Sequence, residues 1–366
     1  MGREQPSAPD DGSRLQEECA DAEAPAMRYL PVHLAVMQPG TLAPVDLHIH
    51  VGPPAEYILY KKARDELREE IRERLLQHGV QMLYIRETDE DKYQDYVEHN
   101  LSAIIRDDLM PENKAAELVY ETSSRVMEDT FREPRAGRNL QRAHTMVEAT
   151  VMAILKDPES VWHMAAIAGH DYYTFTHCVH VSMFLVAAAQ DLMGIRDRHM
   201  LEQIGGGGIL HDIGKSRIPA EVLNKPGRLT AEEWEMVKQH PRTGLQLVRR
   251  DRRLRSAGAR IVEGHHEHYD GSGYPRGLAG EGIARIVRLS TVVDVFDALT
   301  TERCYAAARS PFDALEMMLE QMEGTFDQPL LGEFIKFLGP KEMRKALRAR
   351  WDGALADALE RKMAVG

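Results

Sequence analysis

The first part of the chain alternates between strand-like and helix-like hydrophobic patterns. Three runs of β-branched and aromatic residues, separated by Pro-Gly and Gly-Pro-Pro breaks, predict short strands at 28–36, 45–51 and 56–63. Between residues 64 and 78, leucine and isoleucine recur at helical spacing before Gly79, and a further strand-like run follows at 80–87. This pattern predicts a small α+β domain.

His48 and His50 alternate with apolar residues in the second of these runs. Alternation along a strand puts both side chains on one face of the sheet. Metal ligation by this pair is conceivable, but we expect two exposed histidines on that face.

The rest of the chain shows helical periodicity almost to its C-terminus. Segments 111–131 and 137–155 have the length to link one domain to another, and they fit equally well as helices packed on the next domain. Apolar, alanine-rich sequence at 184–193 predicts a buried helix. The predicted fold class is mainly α, an all-helical bundle preceded by the small α+β domain.

These patterns divide the chain into four segments. Residues 1–27 carry almost no large apolar side chains, which predicts a disordered acidic leader. We expect the α+β domain at 28–108, linking helices at 109–156 and the main helical domain with a C-terminal helix at 157–366. The amphipathic stretch at 340–363 fits closure of the core, which we favour, or a homodimer interface.

Four consecutive glycines, Gly205–Gly208, stand immediately before a His-Asp pair, where the surrounding pattern is helical. Each glycine in a helix interior costs about 0.5–1 kcal/mol relative to alanine. Two explanations stay open: the helix packs tightly against a neighbouring backbone, or it begins after the glycines.

Composition and charge narrow the function classes. The net charge of −12 argues against a non-specific nucleic-acid-binding protein, which would carry a basic face. Cys19, Cys178 and Cys304 are far apart, which argues against a disulfide framework or a zinc ribbon. No segment reaches the roughly 20 apolar residues of a membrane helix, and the N-terminus does not have the pattern of a signal peptide. We therefore expect a soluble cytoplasmic protein.

Residues that suit transition-metal ions recur through the helical region. The pair His211-Asp212, taken alone, fits a helix-end salt bridge or cap as well as a metal site. The other histidines and the aspartate that occur before and after the pair favour a metal site, because imidazole is a ligand for these metals and a carboxylate can bridge two ions. The candidate ligands are His177, His211, Asp212, His240, His265, His266 and Asp294.

Local patterns indicate where some of these side chains lie. Residues 230–233 form a predicted capping box for a helix that ends at Pro241, which puts His240 at the C-terminal end of that helix. His180 lies near the helix face of His177, and we interpret it as a neighbour of the site rather than a ligand.

Together, these motifs resemble those of the HD-GYP family, a branch of the HD metal-dependent phosphohydrolases. HDIGK stands at 211–215, and HHEHYDGSGYP contains Gly273, Tyr274 and Pro275 of the loop that names the family. The similarity continues through KPGRLTAEEWEMVKQHP and DVFDALTTERCYA and covers roughly 161–337. The sequence before it looks like the regulatory domain that often precedes this catalytic domain.

The resemblance implies an all-helical catalytic domain with two divalent metal ions. One ion would be held by His177, His211, Asp212 and Asp294, and the other by His240, His265 and His266, with Asp212 bridging both. Family members with a third metal have a Glu where this chain has Tyr173, and Asp171 is a weak substitute, so two metals are expected. Histidine and carboxylate ligands without thiolate suit iron or manganese, with zinc or nickel as substitutes in vitro.

The resemblance also implies an activity, the hydrolysis of cyclic di-GMP to pGpG or GMP in bacterial second-messenger signalling. A hydroxide bridging the two metals would attack phosphorus. Lys215, expected on the helix face of His211, would stabilise the phosphate charge, and Arg303 would contact the nucleotide phosphate. The Gly-Tyr-Pro loop would shape the substrate pocket and contact GGDEF-type cyclase partners.

Two features depart from the family pattern. A basic residue usually follows the family's Arg-Pro-Tyr motif, whereas this chain continues from Arg303 with Cys304, Tyr305 and Ala306. A charge-assisted contact of this kind is worth about 1.5–3 kcal/mol when desolvated, so its loss is expected to alter affinity or substrate choice. The family's usual C-terminal motif is also missing.

Alternative functions stay open beside an active cyclic di-GMP phosphodiesterase. One is a phosphodiesterase that prefers 3′,3′-cyclic GMP-AMP, and another is a weakly active sensor or docking module. The second is disfavoured because all seven candidate ligands are retained. An oxygenase is a further alternative, but Lys215 and the Gly-Tyr-Pro loop fit a phosphate substrate better.

Overall fold

The computed structural model of the chain describes residues 27–52, 56–135, 137–167, 174–254, 256–301 and 309–339. The chain divides into two compact units, Met1–Tyr93 and Gln94–Gly366. Apart from Met27, the predicted leader lies outside the described residues, as does the amphipathic segment at 340–363. None of the helices in the described ranges combines the length and hydropathy needed to cross a lipid bilayer. The predicted domain boundaries stay a prediction.

The first unit contains a four-stranded antiparallel sheet and one helix of its own, which confirms the predicted α+β pattern. The sheet order is β1-β4-β2-β3. Leu83 and Ile85 of β4 are buried at alternate positions, as the period of two requires, and Leu75 of the helix is buried as well. The elements are β1 (Tyr29–His33), β2 (Leu47–Val51), β3 (Glu56–Lys61), α1 (Glu69–Gln77) and β4 (Met82–Arg86).

The two histidines of β2 differ in exposure. His50 is exposed as expected, but the expectation is wrong for His48, which is buried. The Tyr29 ring packs edge-on against His48 at 4.9 Å between centroids, and His48 Nδ1 lies 3.3 Å from the carbonyl oxygen of Tyr84. The Tyr29 ring therefore covers His48, which the pattern of one strand could not indicate.

From Glu90 onward the described chain is mostly helical, which confirms the mainly α fold class. The helices are α2 (Glu90–Arg106), α3 (Glu112–Arg132), α4 (Gly137–Lys156), α5 (Ser160–Ile167), α6 (Thr174–Leu192), α7 (Arg198–Leu210), α8 (Ala220–Leu223), α9 (Ala231–Val237), α10 (His240–Val248), α11 (Ala257–Gly264), α12 (Arg285–Thr300), α13 (Pro311–Glu320) and α14 (Gln328–Leu338).

Helix α6 lies at the centre of the second unit. Every residue from Thr176 to Ala189 is buried, as expected of a helix that is apolar on all sides. It packs against α3, α4, α7, α12 and α14. Helices α3 and α4 also contact α5, so these two long helices are part of the packed bundle.

The four glycines belong to α7, so this helix does not begin after them. A Cβ atom on Gly207 would lie 2.8 Å from the Cα of Gly258 in α11, and one on Gly208 would lie 2.8 Å from the Cα of Ser182 in α6. The glycines therefore allow α7 to approach two neighbouring backbones closely, which decides between the two explanations left open above.

Gly208→Ala is expected to lower the free energy of unfolding by about 1–3 kcal/mol, because the added methyl group would overlap the α6 backbone. Gly332→Ala in α14 is the matched control. Nothing lies within 4 Å of its Cβ position, and alanine there is expected to stabilise the helix by about 0.5–1 kcal/mol. Urea denaturation followed by circular dichroism measures both. A Gly208→Ala variant as stable as the wild type would contradict the tight packing.

Candidate metal centre

The seven candidate ligands meet in one cluster built mainly at helix ends. His211 and Asp212 directly follow α7, His240 is the first residue of α10, and His265 and His266 directly follow α11. The other two members, His177 and Asp294, lie within α6 and α12. Six of the seven are buried, and His266, with 24% of its side chain exposed, is the most open.

Three of the imidazoles are oriented by backbone carbonyls near helix C-termini. The last carbonyls of a helix have no partner within it, and an imidazole Nδ1–H can donate to them. The other ring nitrogen, Nε2, is then left with its lone pair directed into the cluster. These contacts join His211 to Gly208 (2.7 Å), His240 to Val237 (2.8 Å), and His265 to both Ile261 and Val262 (3.2 Å each).

His177 is oriented by a side chain, Asp297, that the sequence analysis missed. His177 Nδ1 lies 2.6 Å from Asp297 Oδ2, and its Nε2 lies 3.0 Å from Asp294 Oδ1. Asp297 comes one helical turn after Asp294 in α12, and that spacing was the only signal in the sequence that could have identified it. It also accepts a hydrogen bond from His180, which lies beside the site without joining the cluster.

Asp212 lies between two sides of the cluster. Its Oδ1 is 3.2 Å from His240 Nε2 and 3.8 Å from His265 Nε2, and its Oδ2 is 3.4 Å from His211 Nε2. The two oxygens of one carboxylate thus face different histidines, which is the arrangement a bridging ligand requires. The ligands form three overlapping groups, and within each group the donor atoms lie within 4.8 Å of one another. The groups are Asp212, His240, His265 and His266; His177, His211 and Asp212; and His211, His265 and Asp294.

Two buried polar atoms in the cluster, His211 Nε2 and Asp212 Oδ1, form no hydrogen bond. In addition, the Nε2 atoms of His240 and His265 lie only 3.1 Å apart. Because the Nδ1 atom of each ring is directed at a carbonyl, the two Nε2 atoms are left facing each other. Such an arrangement is unfavourable unless a cation lies between the donors, so the residues fit a bound metal.

The electrostatics of the cluster also suit a cation. Burial opposes ionisation of Asp212, but the charges of Lys215 and His211 outweigh it and lower the pKa of Asp212 well below its usual value. Burial lowers the pKa of His265 well below its usual value and that of His266 to about 3. Asp212 is therefore ionised and His265 and His266 are neutral, which are the forms that bind metal.

The local structure around His240 and Lys215 differs from the prediction. The capping box at 230–233 is confirmed, but α9 ends at Val237 and His240 begins α10, because Pro241 fits the first turn of a helix. Lys215 is not on a continuous helix with His211, since α7 ends at Leu210 and a short 3-10 turn follows. The Lys215 amine instead donates to Asp212 Oδ2.

The Gly-Tyr-Pro loop lies against the most exposed ligand. The Tyr274 N–H donates to the carbonyl oxygen of His266 at 3.0 Å, and the two rings are 4.8 Å apart. A Cβ atom on Gly273 would lie 2.4 Å from the same carbonyl oxygen, so only glycine permits this approach. Pro275 accepts a hydrogen bond from Arg242. The loop therefore borders the side of the cluster that is nearest to solvent.

Some residues singled out by the sequence cannot be located relative to this cluster. Arg303 and the Cys304, Tyr305 and Ala306 that follow it lie outside the described residues, and so do Tyr173 and Asp171. Cys178, next to His177 in α6, is buried as a free thiol.

An HD-domain family model matches residues 192–330. Among curated relatives, "Cyclic di-GMP phosphodiesterase PA4108" of Pseudomonas aeruginosa is 33% identical over 233 residues, which are 63% of this chain and 56% of the relative. "Cyclic di-GMP phosphodiesterase response regulator RpfG" of Xanthomonas campestris is 47% identical over 119 residues, or 32% of each chain. "3'3'-cGAMP-specific phosphodiesterase 2" of Vibrio cholerae is 34% identical over 179 residues, which are 48% of this chain and 34% of the relative.

The chain therefore spans about half the length of the first of these relatives and about a third of the other two. A solved structure titled "Bd1817, a HDG"Y"P protein from Bdellovibrio bacteriovorus" is similar in fold, with a TM-score of 0.59 and 20% identity. The match covers 86% of this chain and 100% of that one. At this identity the likeness supports the fold alone.

Metal binding is expected to release protons. Burial lowers the pKa of His177, but its hydrogen bonds to Asp294 and Asp297 outweigh this and raise the pKa to about 9. Without metal, His177 therefore holds an extra proton near pH ~7 that a metal must displace, and binding should strengthen as the pH rises towards 9.

Calorimetric titration with Mn²⁺ in buffers of different ionisation enthalpy measures this release. Near pH ~7 the heat of Mn²⁺ binding should depend on the ionisation enthalpy of the buffer. Above a pH of about 9 the contribution from the proton released by His177 should disappear. A heat that is independent of buffer near pH ~7 would contradict the assignment.

Proposed function

Because the chain belongs to the HD-GYP family of HD-domain proteins, we propose that it is a metal-dependent phosphodiesterase that hydrolyses cyclic di-GMP to pGpG or GMP. The observation that carries the proposal is the buried cluster in which the carboxylate and imidazole side chains of the HD and HH motifs lie close together. The names of two relatives support the substrate.

The donor set suits two divalent ions, iron or manganese, because it offers nitrogen and carboxylate oxygen without thiolate. When bound, such ions would lower the pKa of a shared water and neutralise the phosphoryl oxygens of the substrate. His177, His211, Asp212 and Asp294 would hold one ion, and His240, His265 and His266 the other, with Asp212 shared.

Lys215 and Tyr274 are the residues beside the cluster that suit a phosphodiester. The Lys215 side chain is 23% exposed and ends at Asp212, so its amine can turn from this carboxylate to a substrate oxygen. Burial raises the pKa of Tyr274 well above its usual value, so its hydroxyl stays a neutral donor at the rim of the site. Gly273 and Pro275 shape that rim by holding the loop against the backbone.

Two remaining features of the proposed function follow from the family resemblance: contact of the Gly-Tyr-Pro loop with GGDEF-type cyclases and phosphate binding by Arg303. Two others, a homodimer and a cytoplasmic location, follow from the amphipathic stretch at 340–363 and from composition. Each stays a prediction.

A second candidate substrate is 3′,3′-cyclic GMP-AMP. A relative that matches 48% of this chain is named as specific for that dinucleotide, and the chain has Ala306 where the family pattern has a basic residue. Both dinucleotides share the phosphodiester that the cluster would act on, so the choice depends on contacts to the bases.

Asp212→Asn and His211→Ala are each expected to abolish turnover and to reduce bound metal, because they remove donor atoms from the centre of the cluster. His199→Ala is the matched control, since His199 lies exposed on α7. Protein loaded with Mn²⁺ or Fe²⁺ is incubated with each dinucleotide, products are separated by chromatography, and metal content is measured by mass spectrometry. Full turnover in either ligand variant would refute these roles.

Lys215→Met is expected to lower kcat by about 10²–10³-fold while metal content stays at the wild-type level, because it removes a charge that the proposed transition state requires and no metal ligand. Lys114→Met, which removes a surface ion pair with Glu117, serves as the control. A wild-type kcat for Lys215→Met, measured with saturating metal and dinucleotide, would exclude the residue from catalysis.

A further inference from the structure

A chain of hydrogen bonds leads from α3 to His177. The Tyr120 hydroxyl lies 3.0 Å from His180 Nε2, and His180 Nδ1 lies 2.9 Å from Asp297 Oδ1. The other oxygen of Asp297 lies 2.6 Å from His177 Nδ1. All four side chains are buried, and Tyr120 is the most exposed of them at 8%.

The chemistry of the groups assigns the direction of these bonds. Each oxygen of Asp297 faces the Nδ1 atom of one imidazole, Oδ1 that of His180 and Oδ2 that of His177. An ionised carboxylate only accepts, so each imidazole donates its Nδ1–H to one oxygen. When His180 is neutral, its Nε2 carries a lone pair, and the Tyr120 hydroxyl donates to it.

Stacking reinforces the same arrangement. The Tyr120 and His180 rings are 5.5 Å apart at an interplanar angle of 17°, so the hydrogen bond and the ring contact restrict His180 to one orientation. That orientation fixes Asp297, and Asp297 fixes the ring of His177, whose Nε2 faces the cluster. Partners of this kind tune metal affinity even though they do not touch the metal.

We propose that Tyr120 and His180 are positioning residues of the metal centre, which act through Asp297 to orient His177 and raise its affinity for metal. The inference rests on the proposed metal centre and is independent of the substrate. It extends the centre to α3, which precedes both the residues matched by the HD-domain family model and the predicted catalytic domain at 157–366.

Three variants of the whole chain separate this role from simple packing. Tyr120→Phe removes the hydroxyl and keeps the stacked ring. His180→Asn keeps a donor to Asp297 in the place of Nδ1 but cannot reach Tyr120. Thr130→Val is the matched control, because it removes another buried hydroxyl of α3, which bonds to the carbonyls of Val126 and Asn139 instead of the cluster.

Each metal-free protein is titrated with Mn²⁺, and bound metal is followed by electron paramagnetic resonance. We expect Tyr120→Phe and His180→Asn each to raise the dissociation constant of one bound ion by about 10-fold. This is the low end of the effect on metal affinity of residues that hydrogen-bond to a ligand without binding the metal. The double variant should match the single variants, because both changes break the same link. Thr130→Val should bind Mn²⁺ as the wild type does.

Absorption spectra of the Co²⁺-loaded proteins provide a second readout, since they respond to ligand geometry and not to fold stability. We expect the bands to shift in Tyr120→Phe and His180→Asn but not in Thr130→Val. Circular dichroism checks folding, and His180→Asn tests the same link if Tyr120→Phe does not fold.

Wild-type Mn²⁺ affinity in Tyr120→Phe and His180→Asn would overturn the inference, as would an equal loss in Thr130→Val or additive losses in the double variant. A wild-type protein that binds no Mn²⁺ would overturn the metal centre and this inference with it. A wild-type protein that binds two ions but hydrolyses neither dinucleotide would overturn the proposed function alone, and the affinity comparison would still decide the role of Tyr120.

Discussion

The cluster depends on one constraint, the need of unpaired carbonyls near helix C-termini for hydrogen-bond donors. Helices α7, α9 and α11 each end beside the cluster, and a histidine follows each end closely enough to donate Nδ1–H to its last turn. One hydrogen bond thus satisfies a buried carbonyl and fixes the ring, so that Nε2 is directed inward. The partial negative charge of a helix C-terminus also favours a cation nearby. Backbone geometry therefore accounts for the orientation of His211, His240 and His265.

The same arrangement has an electrostatic cost. It buries Asp212, Asp294 and Asp297 together, and in the part of the chain that the structure describes the groups that offset their charge are Lys215 and histidines. Buried charges destabilise a fold unless they are paired. Bound cations would supply the missing charge, so metal binding and folding are expected to be coupled in this unit. The unpaired atoms of His211 and Asp212 mark the part of the cluster where that charge is most needed.

Short motifs allowed the ligands to be predicted from sequence, because adjacent His-Asp and His-His pairs stand out without any alignment. Local patterns were less reliable for geometry. Pro241 is compatible with the end of one helix and the start of the next, and the sequence alone favoured the wrong choice for His240. Asp297 and Tyr120 were missed for a different reason. Their partners, His177 and His180, lie 120 and 60 residues away, and contacts of that kind leave no periodic signal.

The glycines of α7 connect the packing of the helices to the chemistry of the cluster. Gly208 allows α7 to approach α6 at Ser182, five residues after His177, and Gly207 allows it to approach α11 at Gly258, seven residues before His265. His211 follows these glycines within one helical turn. The distances between ligands on three helices are therefore set by how closely their backbones pack. Since displacement of a reacting group by about 1 Å can cost about 10²-fold in rate, larger residues at these positions would impair the site even where the fold tolerates them.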